Sequence, residues 1–457
     1  MAIATTNPAT GTVEQEFEAF SRSEIEDRID QAHLAFGELK ATTFAQRAEL
    51  MRKAASILEA DLEALAKTLT VEMGKTIAQA RAEIHKSAKN MRFYADHAEE
   101  YMAGRELDAT ALGASRAFTR YEPLGVVLAV MPWNYPIWQV IRFAAPALMA
   151  GNTVLLKHAS NVPQAALYLD TLFARAGFPA GAFRTLLIGA SQVEDVLRDR
   201  RVVAATLTGS EPAGRSVASI AGSEVKHVVL ELGGSDPFIV MPSADLDDAV
   251  ATAVSARTSN NGQACINAKR FIVHDAVYDE FVRKFSDAIA SLTVGNPLDE
   301  STDIGPVATE SGREELDELV QDAVQKGAVA TVGGGRIDGP GWYYAPTVLT
   351  GITPEMRLYA EEAFGPVAAV YRVDSAEQAL RIANDTTFGL SSAVWSNDRE
   401  EQDRFIAGID AGAVFVNGMS ISYPEMPFGG TKDSGIGREL SVEGILEFCN
   451  AKSVWVR

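Results

Sequence analysis

Between residues 24 and 101 apolar residues recur at spacings of three and four, as in EIEDRIDQAHLAFGEL and FAQRAELMRKAASILEADLEALAKTL. That is the period of amphipathic helices with one buried face, and these segments are expected to be packing helices. From Gly125 the texture changes to short apolar runs, GVVLAVM, TVLLK, TLLIG, VVAATL, HVVLEL and PFIVM, separated by helical stretches. Buried runs alternating with helices predict a mostly parallel, doubly wound sheet. A second series follows Asp245, with KRFIVH, a helix near residues 277–290, and strands at AAVYRV, SAVWS and AVFVNG. The fold class is therefore α/β, with two units joined near residues 233–236. The tail AKSVWVR alternates apolar and polar residues; a lone strand needs a partner edge, for which a neighbouring subunit is a candidate.

Composition narrows the class of function. The chain has 457 residues, and at about 150 residues per domain two or three domains are expected. A hydrophobic share of 47% and a charged share of 22% fit an ordinary globular protein. A net charge of -20 argues against nucleic acid and anionic membranes as partners. The opening MAIATTNPATG lacks a basic region followed by an apolar core, and no apolar run reaches the roughly 18 residues of a membrane span. A cytoplasmic protein is expected. Cys265 and Cys449 are the two cysteines, too few and too far apart for a disulfide scaffold or a CxxC site. The six histidines never approach metal-ligand spacing, so no metal is expected.

Four segments carry candidate chemistry. Cys265 lies in NNGQACINAKR, a run of small and amide residues between a predicted helix and a predicted strand. Amides of this kind can stabilise a thiolate or an oxyanion; the competing reading is a buried cysteine acting as a small hydrophobe. Glu231 ends HVVLEL immediately before Gly233 and Gly234, at a strand's carboxyl end, where ligands gather in open α/β sheets. Desolvation there would raise its pKa towards that of a general base, whereas an ion pair with a nearby Lys or Arg is the bland alternative. Arg142 is the only charged residue between Glu122 and Lys157 and sits among Trp138, Ile141 and Phe143. It would grip either a substrate carboxylate or an internal one. GSEPAGRS, at 209–216, is close to GxxxxGK[ST] but holds Arg215 in place of the lysine. A strand, turn and helix N-terminus receiving a cofactor pyrophosphate fits it better than a nucleoside triphosphate site. No GxGxxG occurs, and VGGGRIDGPGW reads as a surface turn.

In order along the chain, MPWNYP at 131–136, LLKHAS at 155–160, TGSEPAG at 208–214, LELGGSDP at 230–237, NNGQACINAKR at 260–270, EEAFGPV at 361–367 and PFGGTKDSGIGRE at 427–439 resemble the aldehyde dehydrogenase superfamily. The resemblance covers essentially the whole chain. LLKHASNVP and ELGGSDPFIVMPSADLD look most like the NADP-preferring succinate-semialdehyde dehydrogenases. The resemblance implies two doubly wound Rossmann-like domains and a small β oligomerisation element. Residues 1–104 and 124–233 would bind the cofactor, 234–440 would form the catalytic domain, and 105–123 with 441–457 would mediate a homodimer or homotetramer.

It further implies that Cys265 is the nucleophile, that the Asn134 amide and the Cys265 N–H stabilise the oxyanion, and that Glu231 activates water against a thioester. Lys157 is carried over both to the catalytic set and to the cofactor surface, which takes in Trp133, Asn134, Ser160, Gly209, Ser210, Leu232 and Glu362, with Glu362 on the nicotinamide ribose. NAD-using members present a glutamate where this chain has Ser160. A serine beside Lys157 removes repulsion of a 2′-phosphate, so NADP is expected over NAD. Arg142 falls where the succinate-semialdehyde enzymes hold the distal carboxylate, and Ser422 would add a hydroxyl. Some relatives carry another arginine where this chain has Ser259, with Arg257 two residues earlier. Ala264 and Ile266 flank Cys265, so no vicinal cysteine can form a local disulfide with it. The competing functions are oxidation of another small aldehyde in the same fold and, from a different class, a cysteine hydrolase.

Overall fold

The computed structural model describes residues 2–457. A hairpin of β1 (Ile3–Asn7) and β2 (Thr12–Phe17) precedes four helices, α1 (Arg22–Lys40), α2 (Phe44–Ala60), α3 (Leu62–Met73) and α4 (Ile77–Tyr101). The helices begin where the sequence supplies caps. Ser21 with Glu24, and Thr43 with Gln46, form reciprocal capping boxes that satisfy otherwise unpaired N–H groups. On α1 the buried positions are Ile29, Ala32, Ala35 and Leu39, the face that the period predicted.

The first sheet has the order β16-β8-β7-β4-β5-β6. Its strands are β4 (Val126–Met131), β5 (Thr153–His158), β6 (Phe183–Thr185), β7 (Val202–Thr208), β8 (His227–Glu231) and the late β16 (Gly435–Ile436); β3 (Arg116–Pro123) stands apart. All pairs are parallel except β16 with β8. The chain leaves β4 towards β5 and β6, then returns to the other side of β4 for β7 and β8. That reversal opens a crevice at the strands' carboxyl ends. Of the segment TLLIG only Thr185 lies in β6; Leu186 N–H still donates to the Leu156 carbonyl at 2.7 Å, and beyond it the Leu187 carbonyl accepts from Phe20 N–H at 2.8 Å. Crossovers include α5 (Trp138–Ala150), α6 (Pro163–Ala176), α7 (Val193–Arg198) and α8 (Glu211–Ser223). Every residue of α5 is buried.

Between Glu231 and Asp236 the chain passes to a second sheet of order β11-β12-β13-β10-β9-β14-β15, parallel but for β11. These strands are β9 (Asp236–Val240), β10 (Ala268–His274), β11 (Val329–Val332), β12 (Thr347–Thr350), β13 (Val367–Val373), β14 (Ala393–Trp395) and β15 (Phe415–Val416). Helices α9 (Leu246–Thr258), α10 (Asp275–Ala290) and α11 (Glu310–Gln325) cover it. The terminal strand β17 (Cys449–Val456) finds its partner within its own chain, pairing antiparallel with β3 from Cys449↔Pro123 to Val456↔Arg116. A neighbouring subunit is therefore not needed to complete that edge. No helix among the described residues is long and apolar enough to cross a membrane.

Candidate active site

The carboxyl edge of the first sheet faces the amino edge of the second, and the chemistry-bearing residues collect at that seam. Met131 at the end of β4 leads through Trp133 and Asn134 into α5; Lys157 is the penultimate residue of β5; Gly209 and Ser210 follow β7; Glu231 ends β8. From the other side, Cys265 precedes β10 and Glu362 precedes β13.

The loop that presents Cys265 is held from all sides. After α9, Asn260 and Asn261 both take φ 56°, a left-handed conformation uncommon outside glycine. Their side-chain amides account for it. Asn260 Nδ2 donates to the Asn134 carbonyl at 2.8 Å, and Asn261 Nδ2 donates to the carbonyls of Gly74 at 2.8 Å and Pro306 at 3.1 Å. Gly262 follows at φ +75°, where an added Cβ would lie 2.4 Å from the Gly365 carbonyl carbon. Lys269 Nζ donates to the carbonyls of Cys265 at 2.6 Å and Ala264 at 3.0 Å. Arg257, fully buried, donates to the carbonyls of Gly262 and Ala268.

The Cys265 thiol is half-buried. Burial pushes it up to about 11, against the pull of Arg142 and Lys269, so the neutral thiol dominates at neutral pH. Asn134 is 4% exposed, and its Nδ2 donates to the Gln263 carbonyl at 3.0 Å, leaving its second N–H beside the loop. Glu231 is 2% exposed, and neither carboxylate oxygen has a hydrogen-bond partner among the described residues. Burial raises it well above the usual carboxylate range, opposed by Arg142 and reinforced by Glu439. Close approach to this carboxyl requires a glycine: a Cβ on Gly429 would stand 2.7 Å from Glu231 Oε1.

Arg142 is already paired within the fold. Its guanidinium is 2% exposed and paired with the equally buried Glu439, with Nη2 3.3 Å from Thr208 Oγ1 and the Phe428 ring 4.5 Å away. The physical reason lies in α5 itself, which is buried on every face, so a charge on it must be neutralised within the fold. Of its two sequence readings, the internal ion pair is the one realised. Ser422 is 4% exposed and accepts from Lys86 Nζ at 2.6 Å. Ser259 accepts from Asn267 Nδ2 at 2.8 Å and so braces the catalytic loop.

A dinucleotide fits the seam. Lys157 is 9% exposed with no counter-ion among the described residues, and burial lowers its pKa, so a phosphate or ribose would relieve it. Half-buried Ser160 lies beyond the end of the same strand. Ser210 caps α8 with no side-chain bond, so that helix N-terminus keeps free donors. A Cβ on Gly214 would meet Leu232 Cδ2 at 2.6 Å, which explains the glycine in the helix's first turns. Glu362 is held by Lys269 Nζ at 2.8 Å. Trp133 packs edge-on against Phe364, with ring centroids 5.6 Å apart, and both line a cleft of ≈ 370 Å³ with Gln263, Thr309 and Glu362. Arg215 is committed to Glu211 at 2.6 Å and Asp433 at 2.8 Å, leaving no free phosphate-binding cation in GSEPAGRS.

Sequence reading passed over the supporting residues. Lys86 and Glu83 lie on an amphipathic helix whose charges read as a solvated face. Instead Glu83 and Lys75 form a wholly buried ion pair, and Glu83 accepts from the N–H groups of Ile137 at 2.7 Å and Trp138 at 2.9 Å, anchoring the start of α5. Glu439 lay within the quoted motif at 427–439, but nothing in the sequence tied it to the lone arginine of α5, 297 positions away.

A paired Asn amide, half-buried thiol and unpartnered carboxyl beside a nucleotide cleft define the class, and the comparisons agree. The family model "Aldehyde dehydrogenase family" matches residues 1–454, and the chain belongs to that family. At finer grain, it is 61% identical over 457 residues to succinate-semialdehyde dehydrogenase [NADP(+)] 1 of Mycobacterium ulcerans (strain Agy99), covering 100% of both chains. It is 59% identical over 456 residues to the protein of the same name from Mycobacterium tuberculosis (strain ATCC 25618 / H37Rv), again over 100% of both. Among solved structures, succinic semialdehyde dehydrogenase from Streptococcus pyogenes in complex with NADP+ superposes with a TM-score of 0.96 at 35% identity, covering 99% of each chain.

Proposed function

We propose that this chain oxidises succinate semialdehyde to succinate with NADP+ as the oxidant. The observation that carries the chemistry is the pairing of a fixed Cys265 with Glu231, a buried carboxyl whose two oxygens lack partners, across one seam. The near-full-length relatives named for that substrate and cofactor support the choice of both.

In this reading Cys265, as thiolate, adds to the aldehyde carbon and forms a C–S bond. The Asn134 amide and the Cys265 N–H receive the oxyanion, a preorganised pair of donors of the kind whose individual loss costs about 10²–10³ in rate. NADP+, when bound, would supply the hydride acceptor; loss of the aldehyde hydrogen as hydride from the tetrahedral carbon, with collapse of the oxyanion to a carbonyl, leaves a thioester on Cys265. Glu231 then takes a proton from water, the hydroxide adds to the thioester carbon, and the C–S bond breaks to release the carboxylic acid. Lys157 and Ser160 favour a 2′-phosphate, because one offers an unpaired ammonium and the other a donor without charge. The α8 N-terminus at Gly209 and Ser210 would take the pyrophosphate, Trp133 lines the cleft, Leu232 packs against Gly214 at the base of that helix, and Glu362 would hold the nicotinamide ribose. Arg142 stays in its ion pair and sets the charge around Glu231 and Cys265.

Residues 1–104 with 124–233 would act as the cofactor domain, residues 234–440 as the catalytic domain, and residues 105–123 with 441–457 as the assembly element. A two-stranded ribbon is marginal alone. The β3–β17 ribbon exposes Trp455 at 54% and Val456 at 44%, which supports a homodimer or homotetramer built through it. A cytoplasmic site is the compartment that the free cysteines and acidic surface favour. The test is a panel of aldehydes of varied length and charge, assayed with NADP+ and NAD+. The highest kcat/KM is expected for succinate semialdehyde with NADP+; a clear preference for NAD+, or for an uncharged aldehyde, would overturn the assignment.

A further inference from the structure

Arg142 is paired with Glu439, and a second buried cation stands closer to solvent beside the catalytic loop. A small, mostly apolar pocket next to the catalytic loop is lined by Ile266, Ser420, Ser422, Tyr423, Phe428 and Gly429. Its lining includes Ile266, the neighbour of Cys265 in the chain, and Gly429, on which an added Cβ would stand 2.7 Å from Glu231 Oε1. At Ser422 it meets an ammonium: Lys86 Nζ, on α4, donates to Ser422 Oγ at 2.6 Å and stands 4.2 Å from the centroid of the Trp138 ring.

That ammonium lacks a counter-ion among the described residues. The carboxylate on its own helix, Glu83, is already paired with Lys75 and accepts from two backbone N–H groups of α5. From α5 the charge acting on Lys86 is Arg142, another cation, and from the catalytic loop it is Cys265. Burial, with Arg142 next, pushes Lys86 down to about 7. A cation flanked by an indole face, a hydroxyl and a second cation is relieved by an incoming anion. Donor geometry fits a carboxylate. Ser422 accepts from Lys86, so its own O–H remains to donate, and the ammonium has two further N–H bonds.

We propose that Lys86 is the cation that, beside the Ser422 hydroxyl already expected at the substrate, binds the distal carboxylate and sets specificity for ω-carboxylated aldehydes. This rests on the succinate semialdehyde reading above. One carboxylate oxygen accepts from Lys86 Nζ and the other from Ser422 Oγ, with Trp138 as the apolar wall.

The experiment compares wild type, Lys86→Met, Lys86→Arg and Ser422→Ala with succinate semialdehyde and with butanal, an uncharged aldehyde of equal carbon count. Lys86→Met keeps the unbranched chain against Trp138, and its butanal turnover reports that the fold and catalytic loop are intact. A charge-assisted hydrogen bond is worth roughly 10- to 100-fold in binding, so the KM for succinate semialdehyde should rise by that factor while kcat and both butanal constants stay within about twofold. Ser422→Ala should lose roughly 3- to 10-fold on the charged aldehyde only, and Lys86→Arg should keep most of the preference. An equal loss on both aldehydes, or unaltered discrimination in Lys86→Met, overturns the anchor while the substrate assignment stands. A wild type that does not prefer succinate semialdehyde over butanal overturns both.

Discussion

Removing Glu439 alone should destabilise this protein far more than removing it together with Arg142. The two side chains are only 4% and 2% exposed, so Glu439→Leu leaves a guanidinium with one remaining side-chain bond, at 3.3 Å to Thr208. Stranding one partner of a buried pair costs about 3–5 kcal/mol, whereas replacing both with apolar groups of similar volume is often neutral. For a cooperative unit of about 150–250 residues each kcal/mol moves the midpoint by about 2–4 °C, which predicts a fall of roughly 10 °C for Glu439→Leu. Adding Arg142→Met should recover most of it. Thermal unfolding of the three proteins at one scan rate reads this directly, the fixed rate being needed because a chain of this size can unfold irreversibly. If the double variant lost as much as the sum of two single losses, the two groups would not be partners in solution, and the view of Arg142 as internally neutralised would fall.

Two further outcomes follow from the same site. Glu231→Gln should leave the first, NADPH-forming turnover measurable by rapid mixing while the steady-state rate drops by about 10²–10⁴ through slow thioester hydrolysis; loss of the burst and the steady state alike would place Glu231 earlier in the reaction. For Cys265 the sign is set by a raised pKa: the proton is held longer, the thiolate is scarce at neutrality, and each pH unit below about 11 leaves only about a tenth of the thiolate present one unit higher. Alkylation of the cofactor-free protein, followed by mass at Cys265, should therefore keep rising about tenfold per pH unit from 7 to beyond 9; a plateau near pH 8.5 would show that the thiol is not held up by burial.

The periods along the chain were enough to read the helical character of residues 24–101 and the strand alternation of both sheets, though not β11 or β12, because burial on one face imposes spacing locally. The β1–β2 hairpin and the short β16 were not legible: β16 is two residues long, and its place beside β8 is set by contacts across some 200 positions of sequence. At the site, Cys265 and Glu231 stood out by segment, since strand ends and small-residue loops mark themselves, whereas Asn134 came only with the family resemblance. Arg142 was noticed for the right reason, a lone charge in apolar company, but the sequence offered no way to choose between a partner inside and one outside. Lys86 was invisible for the opposite reason: on a helix rich in charges, nothing in the pattern distinguishes the one ammonium that turns inward against Trp138.

The pair Asn261–Gly262 has a bearing on how this enzyme ages. Asparagine before glycine is the dipeptide most prone to deamidation, because the next backbone nitrogen can close on the side-chain carbonyl. In the folded chain that side chain is held by the carbonyls of Gly74 and Pro306 and by the Gly305 N–H, so it cannot turn to meet its neighbour. Chemical wear at the heart of the catalytic loop is thus deferred until the loop itself comes undone, and the shelf life of the sulfur's cradle is set by how often the surrounding structure opens.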